Sequence, residues 1–468
     1  MNVRKIRQAN RLRARGNPDA AVEAYKSILR EDVNNPGGLV GLAGIAAENQ
    51  NLDAAREILL RALQAGAKRA NVWARLGGIL RELNDLTGAE RALQKALDIN
   101  PDFAPAYQQL GLAALAKGET EAAASFFEKS LKSDPLLDTS FVLLAAVKVL
   151  RPEEEAVAAM REALRNPKLP PRRKSNVHFA LARVSERLGD TKAFFAHLED
   201  AHRLLVEKTP QWREALEAER TAICGMATPE YLSAQVGDSF KKRTPIFLIG
   251  MPRAGVGLMG RILAAHPSVA EGAHIPFFHH YLRRATQTRC RKNFPAGASE
   301  LSIGDVEEIA RAYQARMESY GPEKAFFTDT APETFKTVGM IFKAMPWAKV
   351  IHIRRDAADC AFSNYRNPPR PGQSFANDFD ALGFYASRHD QWMAFWKEAI
   401  PGFVHEVLYE ELTVKPESEI RRVLDFCGLP WDERLLRFHE IRREIRMPAF
   451  GQMHRPLNAD STGRAKHY

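Results

Sequence analysis

Pro245 to Pro267 reads PIFLIGMPRAGVGLMGRILAAHP: an apolar run of strand type, a glycine-rich turn and the first turns of a helix. A backbone of this shape cradles phosphate, because the first N–H groups of a helix lack intrahelical partners and sit at the positive end of its dipole. Gly250 and Gly255 have Walker A spacing, but Val256 and Gly257 stand where that loop needs a lysine and a hydroxyl. Gly255, Gly257 and Gly260 spell G-x-G-x-x-G, the dinucleotide fingerprint. That reading needs the first glycine almost directly after the strand and an acid about twenty residues on. Here four residues separate Gly250 from Gly255, and Glu271 comes only eleven after Gly260. The stretch thus predicts a strand-loop-helix phosphate site without the side chains of either well-known type.

The 468-residue chain, 45% hydrophobic and 26% charged, has room for two or three domains. It lacks a run of eighteen apolar residues, and its start, MNVRKIRQANRLRARG, has basic residues without the apolar region of a leader or anchor. The expectation is a cytoplasmic protein with no membrane partner. Cys224, Cys290, Cys360 and Cys427 lie far apart with no metal-ligand spacing, so we expect free thiols and no metal. A net charge of +10 favours anionic partners. There is no nucleic-acid-binding motif, so nucleic acid is not expected among them. The clusters RRK at 172–174 and KKR at 241–243 read as solvated helix ends or linker.

The first half repeats itself. Trp73 and Tyr107 are 34 residues apart, as are Gly77 and Gly111, Ala55, Ala89 and Ala123, Ala62 and Ala96, and Pro101 and Pro135. This is the period and residue choice of the tetratricopeptide repeat, two antiparallel helices in which small residues allow close approach and large ones fill between. Extended backwards, the register predicts a repeat over 39–72 and a weaker one over 5–38 carrying Ala21 and Tyr25. Forwards it predicts helix pairs over 141–168 and 175–208, separated by the Pro-rich PKLPPRRK. The expected division is a repeat domain over 1–208, a helical linker over 209–243 and a second domain over 244–468. In the last of these, apolar runs at PIFLIG, AKVIHIRRD (348–356) and GFVHEVLYEEL (402–412) alternate with helical stretches, which predicts a parallel sheet covered by helices.

From Pro245 onward the chain resembles the sulfotransferases that use 3′-phosphoadenosine 5′-phosphosulfate (PAPS), specifically bacterial proteins with N-terminal tetratricopeptide repeats that are similar to tyrosylprotein sulfotransferases. The resemblance rests on the loop segment, on FTDTAPETFKTVGMIFKAMPWAKVIHIRRDAADCAFSNYRN, on LYEELTVKPESEIRRVLDFCGLPWDE and on GQMHRPLNADSTGRAKHY, in that order. It implies an α/β P-loop-like domain behind an α-helical repeat solenoid, and metal-free transfer of sulfuryl to an acceptor hydroxyl on a peptide, a sugar or a small molecule. It also implies site residues. Arg253, with the loop positions Gly255, Val256 and Gly257, would hold the 5′-phosphosulfate. Arg355 and Ser363, eight residues apart, would hold the 3′-phosphate, with Tyr409 and Arg464 beside them.

This sequence departs from the family pattern where side-chain donors are expected. Ala254, Val256 and Gly257 replace three hydroxyls of the loop, Thr330 replaces a lysine, Ala449 a serine and Ala465 a tryptophan. Each missing hydroxyl contact costs about 0.5–1.5 kcal/mol of cofactor binding unless something compensates. His274, in GAHIPF, occupies the place of the family's general-base glutamate, and an imidazole can take the acceptor proton near neutral pH. His279 and His280 read as exposed helix residues. The competing expectation is a sulfotransferase-derived scaffold that has lost catalysis and acts through a protein partner in the repeat groove.

Overall fold

The computed structural model describes residues 2–14, 17–48, 51–83, 85–205, 211–272, 277–318, 321–370, 373–440 and 456–468. They form two compact units, one running through Asp190 and the other beginning at Thr191. The expected boundary at 208 lies outside the described residues. The observed division falls between the two helices of the pair expected over 175–208.

The first unit is a run of helix pairs: α1 (Asn2–Ala14) and α2 (Pro18–Glu31), α3 (Pro36–Glu48) and α4 (Leu52–Gln64), α5 (Ala70–Glu82) and α6 (Leu86–Ile99), α7 (Ala104–Ala116) and α8 (Thr120–Ser133), α9 (Asp138–Val147) and α10 (Glu155–Arg165), then α11 (Pro171–Arg187). The period appears in the caps. Asn17, Asn51 and Asp85, each 34 residues from the next, accept the N–H of Ala20, Ala54 and Gly88 at 3.2, 3.3 and 2.8 Å. It appears again in the packing, where Ala21, Ala55, Ala89 and Ala123 are fully buried. A Cβ on Gly77 would lie 2.6 Å from Leu93, and one on Gly111 would lie 2.5 Å from the Phe127 ring, so glycine sets the spacing in both pairs. The Pro-rich break is shorter than its composition predicts. Helix α11 starts at Pro171, because a proline in the first turn gives up an N–H that has no helical partner there.

The second unit opens with α12 (Thr191–Arg203), α13 (Trp212–Met226) and α14 (Pro229–Ser233). Five parallel strands follow: β1 (Thr244–Gly250), β2 (Val269–Ala270), β3 (Phe326–Asp329), β4 (Lys349–Arg354) and β5 (Val404–Leu408), in the order β2-β3-β1-β4-β5. The connecting helices are α15 (Val256–Ala264), α16 (Phe277–Arg289), α17 (Ile303–Met317), α18 (Val338–Ala344), α19 (Ala357–Tyr365) and α20 (Phe379–Ala399), with α21 (Tyr409–Val414) and α22 (Pro416–Cys427) after β5. Every residue of β1 is buried, as a strand covered on both faces requires. The register pairs Phe247 with Asp329 of β3 and with Val350 of β4. The chain leaves β1 toward β3 and returns to β4 on the other side. The carboxyl ends of β1 and β4 therefore flank a topological switch point, where open α/β sheets bind ligands.

Among the basic clusters, Arg243 departs from expectation. It is 5% exposed, and its guanidinium donates to the carbonyls of Lys324 and Met317 at 2.7 Å each and of Phe326 at 3.2 Å. Lys241 and Lys242 are exposed as expected. These bonds, one from each guanidinium nitrogen to a main-chain oxygen, are what allow the guanidinium to be buried at the foot of β1. His280 is exposed on α16, whereas His279 is half-buried against Phe294, with ring centroids 5.3 Å apart.

Candidate functional site at the ends of the central strands

The loop after β1 is built on close approaches. A Cβ on Gly250 would stand 2.5 Å from the Ile353 carbonyl of β4, and one on Gly255 would stand 2.6 Å from the Tyr409 ring. Gly255 also has φ 108°, a left-handed conformation that glycine adopts freely, and it caps α15 with no side-chain bond. The leading N–H groups of α15 are thus left to whatever the loop faces. Arg253 holds φ 73°, unusual for a residue with a side chain. Its neighbours fix that conformation: Asn364 Nδ2 donates to the Pro252 carbonyl at 2.8 Å, and Arg355 Nη1 donates to the Arg253 carbonyl at 3.1 Å. A strained residue held in place from outside, in a loop at a switch point, is a pattern of binding sites.

The structure brings the residues singled out in the sequence together around this loop. Arg253 Nε donates to Ser363 Oγ at 3.0 Å, joining the first loop to α19. Arg355, which follows β4, has a side chain only 7% exposed and lies over the Tyr409 ring at 4.6 Å. It also donates to the Ser461 carbonyl, while its Nε is buried with no hydrogen-bond partner among the described residues. Arg464 begins a short 3-10 turn, Arg464–His467, and its neighbours Gly463 and Ala465 bond to Asp359 of α19. Val256 differs from the rest. It is 4% exposed and packs into the core below the sheet end, so only its backbone faces the loop. Ala254 is fully buried as well.

Two cations of the cluster were not singled out in the sequence. Arg253 remains open to solvent, yet crowding strips water from its guanidinium, and Arg366, Arg370 and Arg355 repel it. Together these push its pKa down to about 10. Arg366 and Arg370 close the segment YRNPPR after α19, and their four-residue spacing around a Pro-Pro pair was the signal available. Arg253 and Arg355 meet beside the N-terminus of α15, with Arg366 and Arg370 near enough to act on Arg253 through their charge, an arrangement suited to a ligand with several negative charges.

The departures from the family pattern also acquire a structural setting. Thr330 is 6% exposed and packs on α15, where a Cβ on Gly260 would come within 2.6 Å of its methyl group. Beside it, Asp329 is buried and accepts hydrogen bonds from Tyr313 Oη at 2.8 Å and from the Ala331 N–H at 3.2 Å. Burial outweighs those two donors and raises the Asp329 pKa to about 7. His274, the expected base, and Ala449 lie outside the described residues.

Residues 245–433 match the sulfotransferase family, and residues 12–77 and 73–137 match tetratricopeptide-repeat families. An uncharacterised protein of Aquifex aeolicus is 30% identical over 315 residues, which cover 65% of this chain and 41% of that protein. Protein-tyrosine sulfotransferase A of Caenorhabditis elegans is 24% identical over 249 residues, covering 49% of this chain and 63% of that protein. The chain thus spans less than two thirds of either relative's length. Among solved structures, the sulfotransferase domain of an olefin synthase from Synechococcus PCC 7002 is similar at 18% identity and a TM-score of 0.35, covering 50% of this chain and 91% of that one.

Proposed function

We propose that this chain, which carries a sulfotransferase-family domain at 245–433 behind tetratricopeptide repeats, transfers a sulfuryl group from PAPS to an acceptor hydroxyl and releases 3′-phosphoadenosine 5′-phosphate (PAP). One observation carries the reading: the loop after β1 and the loop after β4 meet at the switch point, joined by the Arg253–Ser363 and Arg355–Arg253 hydrogen bonds. A 5′-phosphosulfate would lie on the N-terminus of α15 under Arg253, and a 3′-phosphate near Arg355 and Ser363. Charge takes over from the absent hydroxyls, because Arg366 and Arg370 add to the field at Arg253. A hydrogen bond to a charged group contributes about 1.5–3 kcal/mol, roughly twice a neutral one, so contacts from Arg253 and Arg355 would outweigh a similar number of lost hydroxyl contacts.

Chemically, the arginines would stabilise negative charge on the departing phosphate as the S–O bond breaks, while a base takes the proton of the incoming hydroxyl. His274, which stands where the resemblance puts the general base, would be that base. The acceptor class stays open among a peptide tyrosine, a sugar and a small metabolite, and the repeats are the proposed partner-binding element.

The buried Val256, Ala254 and Thr330 also favour a second reading, a scaffold that has lost catalysis, since apolar or packed side chains stand where donors are expected. Calorimetry with PAP separates the two. Micromolar or tighter binding is expected of the enzyme, and no binding supports the scaffold. Given binding, His274→Ala should lower turnover by a factor of about 100–10,000 with PAP affinity unchanged. Full activity in that variant removes the base assignment.

A further inference from the structure

A carboxylate stands inside this anion site. Asp359 lies in the first turn of α19, four residues before Ser363 on the same helix face and four after Arg355, which precedes the helix. Its side chain is fully buried, with Oδ2 3.8 Å from Arg355 Nη2. An acid here opposes phosphate binding unless it does something else, and its remaining contacts show what that is. Oδ2 accepts the N–H of Gly463 at 2.6 Å, and Oδ1 accepts the N–H of Ala465 at 2.8 Å. Both bonds are charge-assisted and partly buried, which strengthens them. Gly463 adopts φ 69°, the left-handed conformation that turns successive N–H groups onto one acceptor. Arg464 is the residue between the two held amides. On either side the segment is fastened again, by Arg355 to the Ser461 carbonyl and by Tyr468 stacked on Phe362 with ring centroids 4.8 Å apart.

We propose that Asp359 is a positioning residue for 3′-phosphate recognition: it clasps the 461–465 turn against α19, so that Arg464 and Arg355 are held together as one subsite. The inference rests on the nucleotide reading above and extends it to a residue outside the loop. A carboxylate is required because one group must accept two N–H donors at once. Asparagine offers one oxygen and turns an NH2 toward the second amide, leaving a buried donor facing a donor.

The test compares PAP with adenosine 5′-monophosphate, which lacks the 3′-phosphate, on the full-length protein by calorimetry. Wild type should prefer PAP. In Asp359→Asn that preference should fall at least tenfold, through weaker PAP binding, with adenosine 5′-monophosphate affinity unchanged. Deletion of 461–468, which removes the turn and leaves Asp359 in place, should give the same loss; it keeps the idea testable if the point variant is poorly folded. Trypsin should also cleave after Arg464 faster in Asp359→Asn than in wild type. An unchanged PAP preference in both variants overturns the clasp, and so does tighter PAP binding in Asp359→Asn, which would make the carboxylate a competitor for Arg355. Wild type that binds neither nucleotide overturns the parent reading instead.

Discussion

Gly111 and Gly255 answer to nearly the same geometry. In the repeat unit, a Cβ on Gly111 would lie 2.5 Å from the Phe127 ring; in the sheet unit, a Cβ on Gly255 would lie 2.6 Å from the Tyr409 ring. The consequences differ because of what surrounds each ring. Gly111 sits in regular helix, and its counterpart Gly77 meets Leu93 in the same way one repeat earlier. Gly255 has φ 108°, starts a helix with no side-chain cap, and shares Tyr409 with the guanidinium of Arg355. Packing in the repeats is a local matter copied along the chain, whereas packing at the loop also fixes where charges stand.

The largest expected effect follows from that contrast. Gly255→Ala should incur the left-handed strain of about 1–3 kcal/mol and a ring overlap of similar size, so unfolding of the second unit should shift by roughly 3 kcal/mol or more. PAP binding should be lost with it, because Arg253, two residues earlier, would move. Urea denaturation and calorimetry on the same preparation check both. Near-normal stability with normal PAP affinity would show that the loop tolerates the change and that the two glycines are equivalent.

A second difference concerns buried acids. In the repeats, Asp85 is used as an exposed helix cap, whereas β3 ends in Asp329, buried with a pKa near 7. The ordinary value is about 4, so between pH 4 and pH 7 the folded state binds more protons than the unfolded chain. Stability therefore falls as pH rises through that window, and the penalty is complete above it. Asp329→Asn keeps an oxygen for the Ala331 N–H and an amide that can donate to Tyr313. Its stability relative to wild type should improve by about 2–3 kcal/mol on going from pH 5 to pH 8. Parallel denaturation curves at the two pH values would mean that the carboxyl is ionised throughout.

What could be read from the sequence divides along the same line. The 34-residue register gave the helix pairs, since Ala55, Ala89 and Ala123 recur wherever two helices must touch. Capping shares the register, but Asn17, Asn51 and Asp85 are not identical residues, so identity at the 34-residue period does not mark them. In the second unit, β1 is a continuous apolar run and β4 and β5 are rich in Val, Ile and Leu, which makes them legible, whereas β2 is two residues long and β3 contains Thr328 and Asp329. Arg253, Arg355 and Ser363 were placed by resemblance, and the structure brings them into hydrogen-bonding contact. Arg366 and Arg370 are marked in the sequence only by the YRNPPR spacing, and the part played by Asp359 shows only in its tertiary bonds to Gly463 and Ala465. Nor could composition show that Arg243 would bury itself on three carbonyls.

Gly111→Ala sharpens the comparison from the other side. The added methyl meets Phe127, costing about 1–3 kcal/mol, but alanine recovers about 1 kcal/mol of helix propensity. A net loss of roughly 1 kcal/mol is expected, confined to the repeats, with PAP affinity unchanged. A change in PAP affinity would show that the two units are energetically coupled.

The smallest effect tests whether the site behaves as a network. Ser363 Oγ accepts from Arg253 Nε, so Ser363→Ala removes both a direct donor to the nucleotide and a brace on Arg253. Because Arg253 is solvent-accessible, the bond itself contributes little, and PAP affinity should weaken by only about 0.5–1.5 kcal/mol. The informative quantity is the double variant. Arg253→Ala alone should weaken PAP by about 1.5–3 kcal/mol, and if Ser363 acts partly through Arg253, its effect in that background should shrink by at least 0.5 kcal/mol, the threshold for coupled sites. Gly77→Ala and Gly111→Ala alter different helix pairs, and their effects on stability should add. Strict additivity of Arg253 and Ser363 in PAP binding would mean that each meets the ligand independently, and the contrast between a modular repeat and a coupled site would be lost.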